Sequence, residues 1–438
     1  MRKDGTELRL FRRQSPARII ALGFALVIAL ESALLMLPCS VRPGVTLRYI
    51  DALYTATSSV CVTGLIAVDA ADTFTPVGQL ILGVFIQIGG LGVTAVGAGV
   101  MLAMRKKVDL KGRNIIREAM NLDSGRGVVR FVRSVLFMTL SFELAGAALS
   151  LPVFLRDYPL KRALGVSLFH SVAAFNNAGF DILGGMRNLI PYRGDVLLNL
   201  VTCGLIFFGG IGFLVIREVW EKRFSWRRLS MHTKVVLSTS AALLAAGTLL
   251  IRLTEELTWL EAFFFSVSAR TAGFSTSPLS GFTHAGLFTV GVLMFIGASP
   301  GSTGGGIKTS TLFVLLAGIR ASATNTAEKA FRYAIPRDAF RKAAVITLLG
   351  MGIVVAGTYL LLILEPGLAL SDALFEIVSA FGTVGLSTGI TPELGTAAKL
   401  LSILIMYTGR LGPMTIVTLW HFNKGERVRF PDGNIAVG

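Results

Sequence analysis

Charged side chains are scarce in this 438-residue chain, at 16% of the total against about 25% in an ordinary soluble protein. So little polar surface cannot cover a folded chain in water, which excludes a soluble enzyme, a disordered scaffold and a secreted mini-protein. Cysteine is rarer still: Cys39, Cys61 and Cys203 form neither a disulfide framework nor a metal spacing. His170, His232, His284 and His421 are scattered, so zinc chemistry lacks a ligand cluster. No small-residue cleavage site precedes Pro38, so the apolar stretch from Arg18 to Leu37 reads as a first span rather than a signal peptide. What the chain has in quantity is apolar length, with 53% hydrophobic residues in repeated membrane-sized blocks. That makes it an integral membrane protein.

A net charge of +16 raises the question of nucleic acid, and the placement of the charge answers it. Thirty of the 42 Lys and Arg residues fall at 2–18, 105–133, 217–234, 320–342 and 424–429, always between apolar blocks. The alternate connections hold nine, and Arg270, Lys308 and Arg410 lie inside apolar or re-entrant stretches. This positive-inside asymmetry predicts a multi-pass protein of the plasma (inner) membrane with both termini cytoplasmic. A nucleic-acid partner would need a basic face on a folded domain, and none is expected.

Eight apolar blocks lie near 18–37, 76–104, 131–154, 195–217, 234–253, 283–320, 342–364 and 396–421. Each reaches the roughly 20 residues that a bilayer crossing needs. Within each pair sits a shorter block, 51–61, 163–175, 259–269 or 370–381, whose length suits a re-entrant half-helix. The expected fold is an all-α polytopic membrane protein of four M1–P-loop–M2 repeats, set pseudo-fourfold around one ion pore. The repeats would occupy 18–104, 131–217, 234–320 and 342–421, the third with a broken M2 and an intramembrane loop at 297–308. A cytoplasmic N-terminus (1–17), cytoplasmic loops (105–130, 218–233, 321–341) and a cytoplasmic tail (422–438) complete the chain.

The repeat is written in residues too. Each half-helix opens on a small residue and two large ones: Ala52-Leu53-Tyr54, Ser167-Leu168-Phe169, Ala262-Phe263-Phe264 and Ala373-Leu374-Phe375. Further on comes a glycine before Leu or Phe, at Gly64, Gly179, Gly273 and Gly385. Irregular backbone at membrane depth must be satisfied by protein or line a watery path, and four such returns do so most economically around one pore. Half-helices entering from the outside point carbonyl ends and negative dipole ends at the membrane centre, where they attract a cation. Glycine just past each half-helix permits backbone angles that turn successive carbonyls to one axis, as potassium-channel loops do. The candidate ion ligands are therefore main-chain oxygens of Val62, Thr63 and Gly64; Asn177, Ala178 and Gly179; Thr271, Ala272 and Gly273; and Thr383, Val384 and Gly385. Acidic residues of the outer connections, among them Asp69, Asp72, Glu255, Glu256 and Glu393, are solvated or gather cations at the mouth.

Five glycines and a proline between Gly297 and Lys308 cannot stay a regular helix. The stretch is either a passive kink or a flexible gate made of Gly301, Ser302, Thr303, Gly304, Gly305, Gly306 and Lys308. Its likeness to a phosphate-binding loop fails, because Ile307 intervenes and no strand precedes it; no nucleotide site is expected in this chain. Arg410, deep in the last span, either faces the pore or pairs with Glu31, Glu143 or a loop carbonyl. Lys308 would serve the gate or snorkel to the surface. Glu31, Glu143 and Gln87 favour helix-to-helix hydrogen bonds over proton relay.

The strings Thr57-Ser58-Ser59-Val60-Cys61-Val62-Thr63-Gly64-Leu65, Ala174-Phe175-Asn176-Asn177-Ala178-Gly179-Phe180 and Ala269-Arg270-Thr271-Ala272-Gly273-Phe274 resemble pore loops of the Trk/Ktr/HKT superfamily of cation transporters. Within it the likeness is greatest to the membrane subunits of bacterial Ktr potassium uptake systems, and covers nearly the whole chain. The resemblance implies K⁺ as the transported ion, Gly64 rather than serine favouring it over sodium, and an intramembrane loop that blocks the pore together with Arg410. Arg270 would brace its loop. It further implies a homodimer on a KtrA-like ring of nucleotide-binding (RCK) subunits, with Na⁺ a candidate activator. Basic loops would also meet anionic membrane lipids. A Na⁺-coupled or Na⁺-permeable transporter is the alternative. An alternating-access carrier fits less well, since all four half-helices enter from one side, and an enzyme would need converging catalytic groups that the sequence does not supply.

Overall fold

The computed structural model describes residues 16–103 and 127–419, with Gly112 and Ile116 between them. The expected tail from 422, residues 1–15 and most of the 105–130 loop lie outside the described residues. The first quarter holds α1 (Pro16–Leu35), α2 (Tyr49–Val60), the single turn α3 (Ala70–Thr73), α4 (Pro76–Leu91) and α5 (Val93–Ala103). The second holds α6 (Val128–Phe154), α7 (Leu160–Phe175), α8 (Val196–Gly210) and α9 (Phe213–Glu221). The third holds α10 (Met231–Thr254), α11 (Trp259–Ser268), α12 (His284–Phe295) and α13 (Thr309–Thr324). A two-stranded hairpin, β1 (Lys329–Ala330) and β2 (Tyr333–Ala334), leads to α14 (Arg337–Leu364), α15 (Leu370–Gly382), α16 (Thr396–Leu411) and α17 (Pro413–Thr418).

Four of these, α1, α6, α10 and α14, are continuous apolar helices of membrane-spanning length. Only 28–33% of their most apolar stretches is buried, so most of each faces outward. The short helices α2, α7, α11 and α15 are the reverse, with α2 buried from Asp51 to Val60 save for Leu53 and α15 from Phe375 to Gly382. They form the core. Local sequence sets their starts: Thr258 and Glu261 make a capping box on α11, which satisfies two amides that a helix start leaves open.

The second block of each pair differs from the expectation of one long span. All four are broken, not the third alone. Gly92, Gly212 and Gly412 interrupt the first, second and fourth with φ of 86°, 95° and 86° and ψ near 134–139°, a region that side-chain-bearing residues avoid. At Gly212 the axis turns by 97°. The physical reason lies three residues earlier. Gly89, Gly209 and Gly409 press on the carbonyls of Val60, Phe175 and Phe381 at the ends of the half-helices, where a Cβ would collide. Without a hydrophobic force between helices in lipid, small residues that let backbones touch are what hold such crossings together.

The quarters meet in a cycle: α4 packs on α7, α8 on α11, α12 on α15, and α16 returns to α2. At the last junction Lys399, 1% exposed, reaches Asp51 Oδ1 at 2.8 Å and Pro392 O at 3.2 Å, while Arg48 holds the other side of the same carboxylate.

Candidate functional site

Each half-helix feeds a return loop of one shape. Two residues before each glycine stands a left-handed residue: Val62 (φ 50°), Asn177 (58°), Thr271 (80°) and Thr383 (50°). The glycines follow at 87°, 67°, 76° and 95°. Left-handed backbone at four side-chain-bearing residues, β-branched in three cases, costs of order 1–3 kcal/mol each and persists only where the surroundings enforce it. Hydrogen bonds back to the half-helices supply that: Thr63 N to Ser58 O at 2.7 Å, Ala178 N to Ala173 O at 2.8 Å, Gly273 N to Ser268 O at 3.3 Å and Val384 N to Ser379 O at 2.9 Å. Ser58 Oγ and Ser379 Oγ each accept the following glycine amide at 3.0 Å.

The amides are thus turned inward to protein, while the carbonyls of Thr63, Ala178, Ala272 and Val384 accept no protein hydrogen bond among the described residues. Gly179 O differs, accepting from Asn188 Nδ2 at 3.2 Å. The glycines themselves interlock. A Cβ on Gly64 would stand 2.5 Å from Ala178 O, and one on Gly179 2.8 Å from Ala272 O. One on Gly273 would strike Val384 O, and one on Gly385 would strike Thr63 O, closing the circle. All twelve residues expected to offer ligands lie in these four mutually contacting loops.

The glycine-rich loop between α12 and α13 lies directly beside them. Its neck is a bridge between Ile296 and Ile307. Gly304 leaves no room for a Cβ against Thr271 Oγ1, nor does Gly305 against Thr383 Oγ1, which accepts the Gly305 amide at 3.0 Å. Thr303 donates through its hydroxyl to Gly209 O at 3.1 Å, Phe213 N donates to Gly301 O at 3.0 Å, and Ser302 folds back on Ser299 O. The Asn177 amide, with its oxygen turned to Thr271 Oγ1 at 3.0 Å, donates to Ala174 O and Ile206 O.

Arg410 donates to Thr303 O of this loop and to Gly89 O and Gly90 O at the end of α4. Arg410 thus meets a loop carbonyl and forms no ion pair with Glu31 or Glu143. Charge-assisted bonds of this kind are worth about 1.5–3 kcal/mol each. Lys308 does not snorkel: its ammonium binds Gly304 O at 2.7 Å and Gly305 O at 3.3 Å within its own loop. Arg270 is buried and held by Ser240 of α10. Glu31 accepts the Ser59 hydroxyl at 2.5 Å, and Asn176 bridges Glu143 and Gln87. Asp69, Asp72 and Glu255 are engaged by backbone amides, so they fasten turns.

Sequence reading missed Lys399, counted only among the nine cations of the alternate connections, and the four left-handed residues. It also passed over a visible signal, Gly89-Gly90-Leu91-Gly92, Gly209-Gly210-Ile211-Gly212 and Gly409-Arg410-Leu411-Gly412, which marks three breaks and puts Arg410 in a slot where two units carry glycine.

The arrangement can be set beside known proteins. The family model described as TrkH, cation transport protein, matches residues 19–258 and 233–424. The potassium/sodium uptake protein NtpJ of Enterococcus hirae is 35% identical, over 98% of this chain and 99% of its own. The Ktr system potassium uptake protein B of Bacillus subtilis is 36% identical, over 97% of both. The crystal structure of the potassium transporter TrkH from Vibrio parahaemolyticus shares the fold at a TM-score of 0.74 and 16% identity, over 93% of this chain and 86% of that one. The members are ion transporters and not enzymes. The chain belongs to the TrkH family of cation transport proteins, as a KtrB-like multi-pass membrane subunit.

Proposed function

We propose that this chain carries K⁺ inward across the plasma membrane through a filter of main-chain carbonyls, its four repeats standing pseudo-fourfold around one pore. The observation that carries this reading is the closed circle of Gly64, Gly179, Gly273 and Gly385, each abutting the carbonyl before the next. Carbonyls without protein partners at membrane depth need another ligand, and a dehydrated cation is what such oxygens hold. Both termini face the cytoplasm on this reading, as the distribution of Lys and Arg supports.

The loop from Gly301 to Lys308 is the gate. Seated against Thr271 and Thr383 on one side and Arg410 on the other, it stands under the filter, and the Arg410 guanidinium both clasps it and repels an approaching cation. Control by nucleotide falls to a cytoplasmic ring of KtrA-like subunits beneath a homodimer of this chain, a partnership to which the system name of the Bacillus relative lends support. Rubidium uptake in potassium-starved cells tests the filter: the native chain takes up Rb⁺, whereas Gly64→Ser loses preference for it over Na⁺. Unaltered preference would remove Gly64 from the filter. A second reading, a carrier of both ions or one activated by Na⁺, is favoured by the name of the Enterococcus relative; Na⁺-stimulated or Na⁺-competed Rb⁺ flux distinguishes it.

A further inference from the structure

Where the glycine-rich loop replaces the last turns of a helix, it leaves a gap on the outer wall. α12 has only 12 residues, against 16, 15 and 16 in α4, α8 and α16. Between α12 and α13 on one side and α14 and α15 on the other runs a crevice of about 520 Å³. Its rim is Phe288, Val292, Met351 and Val355, from 43% to 70% exposed, and its floor is Phe295, Ile296 and Ile307, the neck of the loop. Polar groups appear at its ends, His284 and Ser371 at one and Thr347 towards the other.

We infer that this crevice binds one acyl chain of a membrane phospholipid. The rim is continuous with the outward apolar faces of membrane-spanning helices, so the solvent at its mouth is lipid. Apart from the Thr347 hydroxyl, which has no protein partner among the described residues, its walls are apolar along their length, and a space of this size without partner atoms forfeits dispersion contacts on every side. The shape fits a chain rather than a protein face. Measured along α12, from His284 to Phe295, it runs about 18 Å at 1.5 Å per residue, close to one leaflet's half of the roughly 30 Å apolar core. The headgroup end is His284 and Ser371, where α12 and α15 begin. The assignment is independent of the gating scheme, although a chain lying there touches the neck on which the loop hangs.

The test is photolabelling of the full-length protein in phosphatidylcholine–phosphatidylglycerol vesicles, using a phosphatidylcholine with a diazirine in its acyl chain. Adducts mapped by mass spectrometry should be enriched on Val292, Met351 and Val355 over Phe137, a lipid-facing residue of α6 that is 72% exposed. Gly291 has open space where a Cβ would project, so Gly291→Trp should fill the crevice and remove that enrichment while Phe137 labels as before. Val355→Trp, at the rim, does the same if the first variant folds poorly. Labelling at the crevice no greater than at Phe137 overturns the inference, as does replacement of lipid adducts by cross-links between two copies through Met351.

Discussion

At the scale of single residues, the site is governed by where a side chain cannot be. Gly92 and Gly412 have open space around a would-be Cβ but a positive φ with ψ of 134° and 139°, so alanine there meets only backbone strain, of order 1–3 kcal/mol. Gly209 has ordinary φ but presses on Phe175 O, so alanine must push a half-helix away. Thermal unfolding in detergent should therefore rank Gly209→Ala as the more damaging, and equal losses would contradict the contact account. Arg410→Gln keeps hydrogen-bond donors and removes the charge; severalfold faster Rb⁺ uptake in vesicles is the expected outcome, whereas a misfolded protein would mark Arg410 as purely structural. In the 218–233 segment, expected to be a cytoplasmic loop, Glu218 accepts Ser230 and Thr233 hydroxyls and the Ser230 amide. Partial burial alone would raise its pKa, but those bonds and Lys222 outweigh it and hold the carboxyl below its usual range. Its contribution is then complete above the unfolded value of about 4.3 and is lost as pH falls through the lower folded value. The stability gap between native protein and Glu218→Gln should narrow on acidification below that point; a constant gap would sink the assignment.

At the scale of elements, the half-helices were the legible part. Apolar blocks too short to span predicted 51–61, 163–175, 259–269 and 370–381, a small-large-large opening and a glycine in register marked them as repeats, and the helices fall at Tyr49–Val60, Leu160–Phe175, Trp259–Ser268 and Leu370–Gly382. Hydropathy could not see the breaks after α4, α8 and α16, because apolar residues continue across them; the interruption is a matter of backbone angle, carried by single glycines. The left-handed Val62, Thr271 and Thr383 were equally hidden, since β-branched residues argue locally for extended chain and only the packed loops force them out of it, whereas Asn177 is of a type that enters this region readily. The broken third helix was visible through five glycines and a proline. If that loop is the gate, deleting 301–306 raises Rb⁺ flux, and unchanged flux would leave the loop a passive kink.

At the scale of the whole molecule, the problem is closing a cycle from a single chain whose first and last quarters are far apart in sequence. The junction of α16 with α2 carries the fully buried Lys399–Asp51 pair, separated by 348 residues, which no local pattern could have disclosed. Removing one partner of a buried pair costs about 3–5 kcal/mol when the other charge is left alone; Arg48 still holds Asp51, so Lys399→Met should lower stability by less than that, with partial recovery in Lys399→Met/Asp51→Asn. Additive losses in the double variant would argue against direct coupling. On the proposed function the cyclic packing matters because a filter would need all four loops at one depth, and a junction that opened would carry Gly64 away from Gly385.

The most direct measurement is anomalous X-ray diffraction from crystals of the protein grown in Rb⁺. The account predicts anomalous density enclosed by the loops of Gly64, Gly179, Gly273 and Gly385, within coordinating distance of main-chain oxygens from all four. Density confined to one loop or to acidic side chains elsewhere, with nothing between the four glycines, would contradict it.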